Sequence, residues 1–190
     1  MCKQVRSLLL LTLFAIPVAA LAQKNELAIT AGGYFPSGSQ ADLGIAGVVE
    51  GSFAHRVFSA PLIGIYAEFP VARTFDTGIK AISGGYNATF FTPSIKLKIS
   101  PGFFASPYFL AGFGLAHFSA TGQSLGSSFS NGNTSAAYDL GGGLDVKVFP
   151  FVSLRGEIRD FNSGGLGFVV PGISGRQNNI IATGGIVLRF

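Results

Sequence analysis

The sequence is poor in charged residues, and it lacks several special residues altogether. Asp, Glu, Lys and Arg make up 12% of the 190 residues, about half of the roughly 25% found in ordinary soluble domains. There is no Trp, and there is only one Cys and one Met. A chain that is 48% hydrophobic has neither the low hydrophobicity nor the high charge of a disordered protein. The net charge of +4 is small and forms no basic cluster, which argues against nucleic-acid binding.

Residues that commonly hold metals and cofactors are also scarce. The two histidines, His55 and His117, and the single Cys2 give no metal-site spacing. The glycines at 112, 114 and 141–143 do not precede a helical pattern, so they do not form a phosphate-binding loop. We therefore expect no cofactor, no metal ligand and no assigned catalytic residue.

The first 22 residues have the pattern of a secretory signal peptide. Lys3 and Arg6 precede an apolar run at 8–16, and Ala20-Leu21-Ala22 fits the small-x-small rule for cleavage. The apolar run is shorter than the roughly 20 residues of a spanning helix, although an N-terminal membrane anchor is the alternative. The prediction is a signal peptide at 1–22 and a single domain at 23–190.

After residue 22 the sequence alternates with a period of two. At 152–159, Val, Leu, Gly and Ile occupy one parity, and Ser, Arg, Glu and Arg occupy the other. No segment after residue 22 reaches 18 consecutive apolar residues. The pattern predicts eight strands, at 25–35, 44–56, 60–71, 89–99, 106–119, 136–148, 152–162 and 178–190. The connections alternate between short ones at 57–59, 100–105 and 149–151 and longer polar ones at 36–43, 72–88, 120–135 and 163–177.

Low charge, mixed signs on the polar face and connections of alternating length favour a membrane barrel with its apolar face toward lipid. A soluble lipocalin-like barrel in the periplasm is the alternative. A bilayer admits only helices and closed barrels, because each backbone polar group needs an internal partner. We therefore predict an all-β, eight-stranded antiparallel up-and-down transmembrane β-barrel in a bacterial outer membrane. Candidates for aromatic girdles at the membrane interfaces are Tyr34, Phe35, Tyr66, Tyr86, Phe90 and Phe91.

Three segments carry a resemblance to a known family: YFLAGFG at 108–114, LGGGLDV at 140–146 and GGIVLRF at 184–190. With them the chain resembles the small outer-membrane barrels typified by OmpA-like and OmpX-like transmembrane domains. The resemblance implies a monomer in contact with outer-membrane lipid, and recognition of the last strand, ending in Phe190, by the barrel-assembly machinery. It does not imply the peptidoglycan-binding role of full-length OmpA-like proteins, because we expect no domain for that role after the barrel.

An eight-stranded barrel has an interior just wide enough for side chains to fill it. We expect a plug of salt bridges there, with a proton or ion path as the alternative. A register that places Asp145 opposite Arg155, with a three-residue turn at 149–151, avoids the like-charge pair of Asp145 and Glu157. Barrel closure predicts that Glu26 and Arg189 point inward side by side. The inward set is Glu50, Glu68, Lys96, Lys98, Asp139, Asp145, Lys147, Arg155, Glu157, Arg159 and Arg189.

His117-Phe118-Ser119 is the one candidate catalytic pair. Its spacing resembles the His-x-Ser of outer-membrane lipid A deacylases, in which a Glu orients the His. Nothing acidic lies between Ser119 and Asp139, and both parities of this strand are apolar, so its faces cannot be assigned. A serine nucleophile needs an oriented base. The prediction is therefore a non-enzymatic barrel with a structural or surface-interaction role, and the alternatives are a lipid-modifying enzyme and a narrow passive channel.

Overall fold

The computed structural model describes residues 23–37, 44–75, 77–78, 83–101, 103–124, 127–164 and 176–190. Within these residues no helix is long and apolar enough to cross a membrane. The predicted signal peptide at 1–22 and most of the connections at 36–43 and 163–177 lie outside the described residues. The strands are β1 (Asn25–Ser37), β2 (Ala46–Ala60), β3 (Ile63–Phe75), β4 (Thr77–Gly78), β5 (Ser83–Phe91), β6 (Ser94–Ile99), β7 (Ala105–Ser124), β8 (Ser127–Phe149), β9 (Val152–Gly164) and β10 (Arg176–Arg189).

These ten segments form eight barrel strands, which we call staves, and the eight staves close into one antiparallel barrel. Strands β3 and β4 are successive parts of one stave, and β5 and β6 are parts of the next, which pairs with β3 on one side and β7 on the other. Strand β1 pairs with β2 and also with β10, which closes the ring. The predicted all-β, eight-stranded antiparallel barrel is confirmed.

The barrel has its apolar side chains outside and its charged side chains inside. Large apolar residues such as Ile29, Leu140 and Ile158 are exposed, whereas Glu68 and Arg155 are buried. This follows from the period of two, because successive side chains on a strand point to opposite faces. Of the predicted inward set, every member except Lys147 is buried. Lys147 is half-buried, because it stands near the end of β8 where the interior opens.

The two ends of the barrel differ. At the end that we call the turn end, short connections contain Pro61–Leu62, residues 100–101 and 103–104, and Pro150–Phe151, and Phe190 lies at the same end. The opposite end, the loop end, carries the other connections. Exposed aromatic residues surround the turn end: Phe58, Phe103, Phe104, Phe149, Phe151 and Phe190.

The prediction for the aromatic girdles is only partly right. Phe35 and Phe91 are exposed on the outer face. The other four candidates lie inside the barrel because they share the inward parity of their strands and fill the lumen. These are Tyr34, Tyr66, Tyr86 and Phe90.

The predicted registers are confirmed. Asp145 pairs with Arg155 across β8 and β9, and Glu26 pairs with Arg189 across β1 and β10. The predicted length of the turn after β8 is wrong. The turn contains two residues, Pro150–Phe151, instead of three, because the register shifts between Lys147 and Phe149. An extra residue in one strand of this kind is a β-bulge.

Three predicted connections are largely strand. Strand β2 continues through 57–59 to Ala60, with a register shift between Arg56 and Phe58. Much of 72–88 lies in β3, β4 and β5, and residues 120–124 and 127–135 are the paired outer parts of β7 and β8. The sequence of this last segment is rich in Ser, Asn and Gly and does not alternate, so it has no period of two from which strands could be predicted.

One stave is interrupted at Thr92–Pro93, between β5 and β6. Strand β3 pairs with β5 from Val71 onward and with β6 up to Glu68, so Phe69 and Pro70 fall between the two ladders on this side. Pro70 and Pro93 lie at the same height of the barrel wall, and neither has a backbone N–H that could donate a hydrogen bond. The Phe113 amide donates to the Pro93 carbonyl at 3.2 Å and ties the interrupted stave to β7.

Candidate functional site

The lumen holds a network of buried charges, which we call the charged cluster. Arg155 on β9 joins three carboxylates: its Nε donates to Asp145 Oδ1 at 2.8 Å, its Nη1 to Glu68 Oε1 at 3.3 Å and its Nη2 to Glu26 Oε2 at 3.2 Å. These acids lie on β1, β3 and β8, so one guanidinium connects strands from opposite walls. The cluster consists of Glu26, Glu50, Glu68, Lys96, Lys98, Asp139, Asp145, Arg155, Glu157, Arg159 and Arg189.

Arg159, two alternations further along β9, joins four carboxylates. Its Nε donates to Glu157 Oε1 at 2.6 Å and its Nη1 to Asp139 Oδ2 at 3.0 Å. Its Nη2 lies 3.0 Å from Glu68 Oε2 and 3.4 Å from Glu50 Oε1. The planar guanidinium carries five donors, which suits it to a site crowded with carboxylates.

The two lysines of β6 complete the charged cluster. Lys96 Nζ donates to Glu68 Oε1 at 2.6 Å, and Lys98 Nζ lies 2.5 Å from Glu26 Oε1 and 2.7 Å from Asp145 Oδ2. Each buried charge thus has an opposite charge in contact, which offsets the cost of removing it from water.

Tyr108 belongs to the same network, and sequence reasoning missed it. Its hydroxyl donates to Glu157 Oε2 at 2.5 Å, and its ring centroid lies 5.0 Å from Lys96 Nζ and 5.0 Å from the Arg155 guanidinium carbon. A cation over an aromatic ring is attracted by the ring quadrupole. The sequence carried no signal for this role, because both faces of β7 are apolar near Tyr108.

Toward the loop end the lumen is filled by aromatic rings, which we call the aromatic cluster. The Tyr34 and Tyr86 hydroxyls lie 3.1 Å apart, and Tyr34 also donates to Asn179 Oδ1 at 2.5 Å. Ring centroids of Phe90 and Phe161 lie 4.6 Å apart. The cluster consists of Tyr34, Tyr86, Phe90, Phe118 and Phe161, all fully buried. It forms a second layer across the lumen.

The candidate pair His117 and Ser119 lies on the outer surface of the barrel. Both side chains are exposed, whereas Phe118 between them points inward, which settles the faces of β7. His117 Nδ1 lies 2.8 Å from Thr134 Oγ1, and His117 Nε2 lies 3.3 Å from Ser119 Oγ. The pair follows the exposed Phe113 and Leu115 along β7, so it lies where the apolar belt gives way to polar residues.

Comparison with known proteins identifies the architecture. No family model matches the chain. No curated protein sequence matches it either. Neisserial surface protein A matches 87% of this chain and 97% of its own, with a TM-score of 0.62 and 17% identity. The fold is that of the small outer-membrane β-barrels.

Two further outer-membrane barrels share this fold. The N-terminal β-barrel domain of Pseudomonas aeruginosa OprF matches 88% of this chain and 99% of its own, with a TM-score of 0.52 and 18% identity. A major outer membrane protein from Thermus thermophilus matches 88% of this chain and 99% of its own, with a TM-score of 0.54 and 14% identity.

The small outer-membrane barrel fold gives the two ends of this protein a location. In such barrels the short turns face the periplasm and the longer connections face the exterior. The turn end is therefore periplasmic, the loop end is external, and the apolar outer belt contacts outer-membrane lipid. His55 lies on the periplasmic side, where its Nδ1 is 2.8 Å from Asn25 Oδ1. Among the described side chains no group of three His, Cys, Asp or Glu residues is placed to hold a metal ion.

Proposed function

We propose that this protein is a non-enzymatic outer-membrane barrel with a structural or surface-interaction role and a lumen closed to solutes. The filled lumen carries the proposal. The charged cluster occupies the periplasmic and middle parts of the lumen, and the aromatic cluster lies above it toward the exterior. An ion crossing this lumen has to displace ion pairs and then pass packed rings.

The β7–β8 hairpin supports the surface-interaction part of the proposal. β7 has 20 residues and β8 has 23, whereas about 9–11 residues suffice to cross a bilayer. Backbone pairing continues outward to Ser124 and Ser127. A paired ribbon therefore extends past the membrane on the external side, where another molecule can contact it.

Conductance tests the closed lumen. We expect the protein inserted in a planar lipid bilayer to show no steady conductance above the bare membrane, because both clusters fill the lumen. A general porin added to the same bilayer is the positive control for detection. A large, stable single-channel conductance from the unmodified protein would contradict the proposal in favour of a channel.

The second candidate function is hydrolysis of a lipid ester, and the order of contacts around His117 favours it. Ser119 Oγ faces Nε2 of the imidazole and Thr134 Oγ1 faces Nδ1. This is the order nucleophile, base and orienting group. In a catalytic triad the group at this position is a carboxylate, which stabilises the protonated imidazole. Here the group is the neutral hydroxyl of Thr134, and for this reason we rank hydrolysis second.

An assay of acyl-ester hydrolysis distinguishes the non-enzymatic barrel from the lipid-ester hydrolase. If the pair is catalytic, purified protein releases fatty acid from outer-leaflet lipid, and both His117→Ala and Ser119→Ala remove the activity. His55→Ala is the matched control, because His55 is the other exposed histidine and lies at the opposite end. Under our leading proposal none of these proteins releases fatty acid above a blank.

A further inference from the structure

The outer wall that β3, the β5–β6 stave and β7 form has a polar row next to an apolar one. The strand registers place three residues of the outer face side by side in the polar row: Arg73, Thr89 and His117. The next row toward the turn end is entirely apolar and consists of Val71, Phe91 and Leu115. The border between the apolar belt and the polar exterior therefore crosses this wall between the two rows.

Arg73 is a charged side chain on the lipid-facing side of the barrel. Among the charged side chains that the structure describes, only Arg73 and Lys24 are exposed, and Lys24 lies at the turn end. Arg73 forms no ion pair with any carboxylate in the described part of the chain. A cation on the lipid face is destabilising at the bilayer centre and nearly neutral close to an interface. Arg73 is the eleventh residue of β3, and about 9–11 tilted residues cross a bilayer, so it reaches the external interface.

A groove of about 520 Å³ opens on the same wall, nearer to the middle of the belt. It exists because small residues stand between large ones. The large exposed residues of its lining are Phe69, Ile95 and Phe113, and the small ones are Ala67, Pro93 and Ala111. Association within a bilayer is driven by van der Waals packing, so a groove that a hydrocarbon chain fills holds that chain more closely than a flat wall does.

The polar row and the groove are separated by a distance that one lipid can span. Arg73 and Phe69 are four residues apart on β3, which corresponds to about 13 Å along the strand at roughly 3.3 Å per residue. His117 and Phe113 have the same spacing on β7. An extended acyl chain whose headgroup lies at Arg73 therefore reaches the groove.

We propose that this wall binds a phosphate-bearing lipid of the external leaflet, with the phosphate at Arg73 and one acyl chain in the groove. The planar guanidinium matches the oxygens of a phosphate group. Both ring nitrogens of His117 already lie near hydroxyls, those of Thr134 and Ser119, so Arg73 supplies the charge. The site goes beyond the proposed function, because it is the same in a structural barrel and in a lipid-ester hydrolase.

Retention of a lipid with and without its phosphate tests the site on the full folded protein. The protein is placed in phosphatidylcholine nanodiscs that contain either lipid A or dephosphorylated lipid A, and native mass spectrometry counts the lipid molecules retained after release into detergent. We expect lipid A to be retained and the dephosphorylated form to be lost, because the two differ only in phosphate. The mass of the retained lipid also shows whether an acyl chain has been removed, so binding and hydrolysis are measured separately.

Two variants separate the contribution of the charge from that of the groove. Arg73→Gln removes the charge-assisted contact with the phosphate, and we expect it to lower retention of lipid A about tenfold. Ala111→Phe fills the groove with a ring, and we expect it to lower retention of lipid A as well. Heat-modifiable gel migration confirms that each variant is folded.

Each variant has a matched control elsewhere on the barrel. Lys24→Gln removes the other exposed cation at the turn end, and Ala31→Phe adds the same ring to an exposed alanine of β1, so both controls should retain lipid A like the parent. Equal retention of lipid A and its dephosphorylated form, or retention of neither, would overturn the proposal. Parental retention of lipid A by Arg73→Gln or by Ala111→Phe would overturn it too.

Discussion

Replacing Arg159 with alanine is expected to lower the free energy of unfolding of the barrel by about 3–5 kcal/mol. The guanidinium contacts the carboxylates of Glu50, Glu68, Asp139 and Glu157 in the lumen. Of these acids, Glu68 keeps Lys96 and Arg155, whereas the other three lose the cation that pairs with them among the described residues. A buried charge without its partner is costly because neither water nor a cation solvates it. Urea-dependent unfolding in lipid vesicles, followed by heat-modifiable gel migration, measures the effect.

Two further variants separate the network from a general loss of charge. Arg73→Ala removes an exposed arginine and is expected to change the free energy of unfolding by less than about 0.5 kcal/mol. Arg159→Lys keeps the charge but loses the planar array of donors, so its effect should fall between the two. If Arg159→Ala unfolds at the same urea concentration as Arg73→Ala, the charged cluster does not stabilise the barrel.

Deleting Phe190 is expected to reduce the membrane-inserted fraction in cells several-fold. Its backbone closes the ring: the Asn25 amide donates to the Phe190 carbonyl at 2.9 Å, and the Phe190 amide donates to the Asn25 carbonyl at 3.1 Å. Its side chain points outward and is 60% exposed, where another protein or lipid can contact it. We propose that the barrel-assembly machinery recognises this residue. The folded, heat-modifiable fraction of the outer membrane is the measurement.

The same deletion should hardly change the stability of barrels that have already formed, because the β1–β10 ladder continues from Glu26↔Arg189 to Ser37↔Asn178. Unfolding of the purified variant in urea therefore separates recognition from stability. Phe190→Tyr, which retains the ring, is the control and should insert like the parent. A deletion variant that inserts as efficiently as the parent contradicts the proposed role.

The sequence predicts the charged cluster well because the period of two and the mixed signs determine which residues share the lumen. Charge pairing alone was enough to select the Asp145–Arg155 register, and closure was enough to place Glu26 beside Arg189. These predictions succeed where the two faces of a strand differ in chemistry.

Prediction fails where the two faces are alike. On β7, Tyr108 and Phe118 point inward while Phe109 and Phe113 point outward, so the alternation is invisible in the sequence. The lumen changes from charged to aromatic along its length, and no local pattern reports that change. The contact of His117 with Thr134 depends on the β7–β8 register, which a sequence without charges at 120–135 leaves open.

The interruption at Thr92–Pro93 divides the backbone pairing of one part of the barrel wall. The seam between the first and last strands forms one continuous ladder, whereas the ladder between β3 and its neighbour is divided by Phe69 and Pro70. The backbone pairing beside Pro93 is therefore weaker than the pairing at the seam, even though the seam is where the chain ends meet. The stability of the wall at this height depends on the side chains that pack across it and on the Phe113–Pro93 hydrogen bond, more than on the ladder itself.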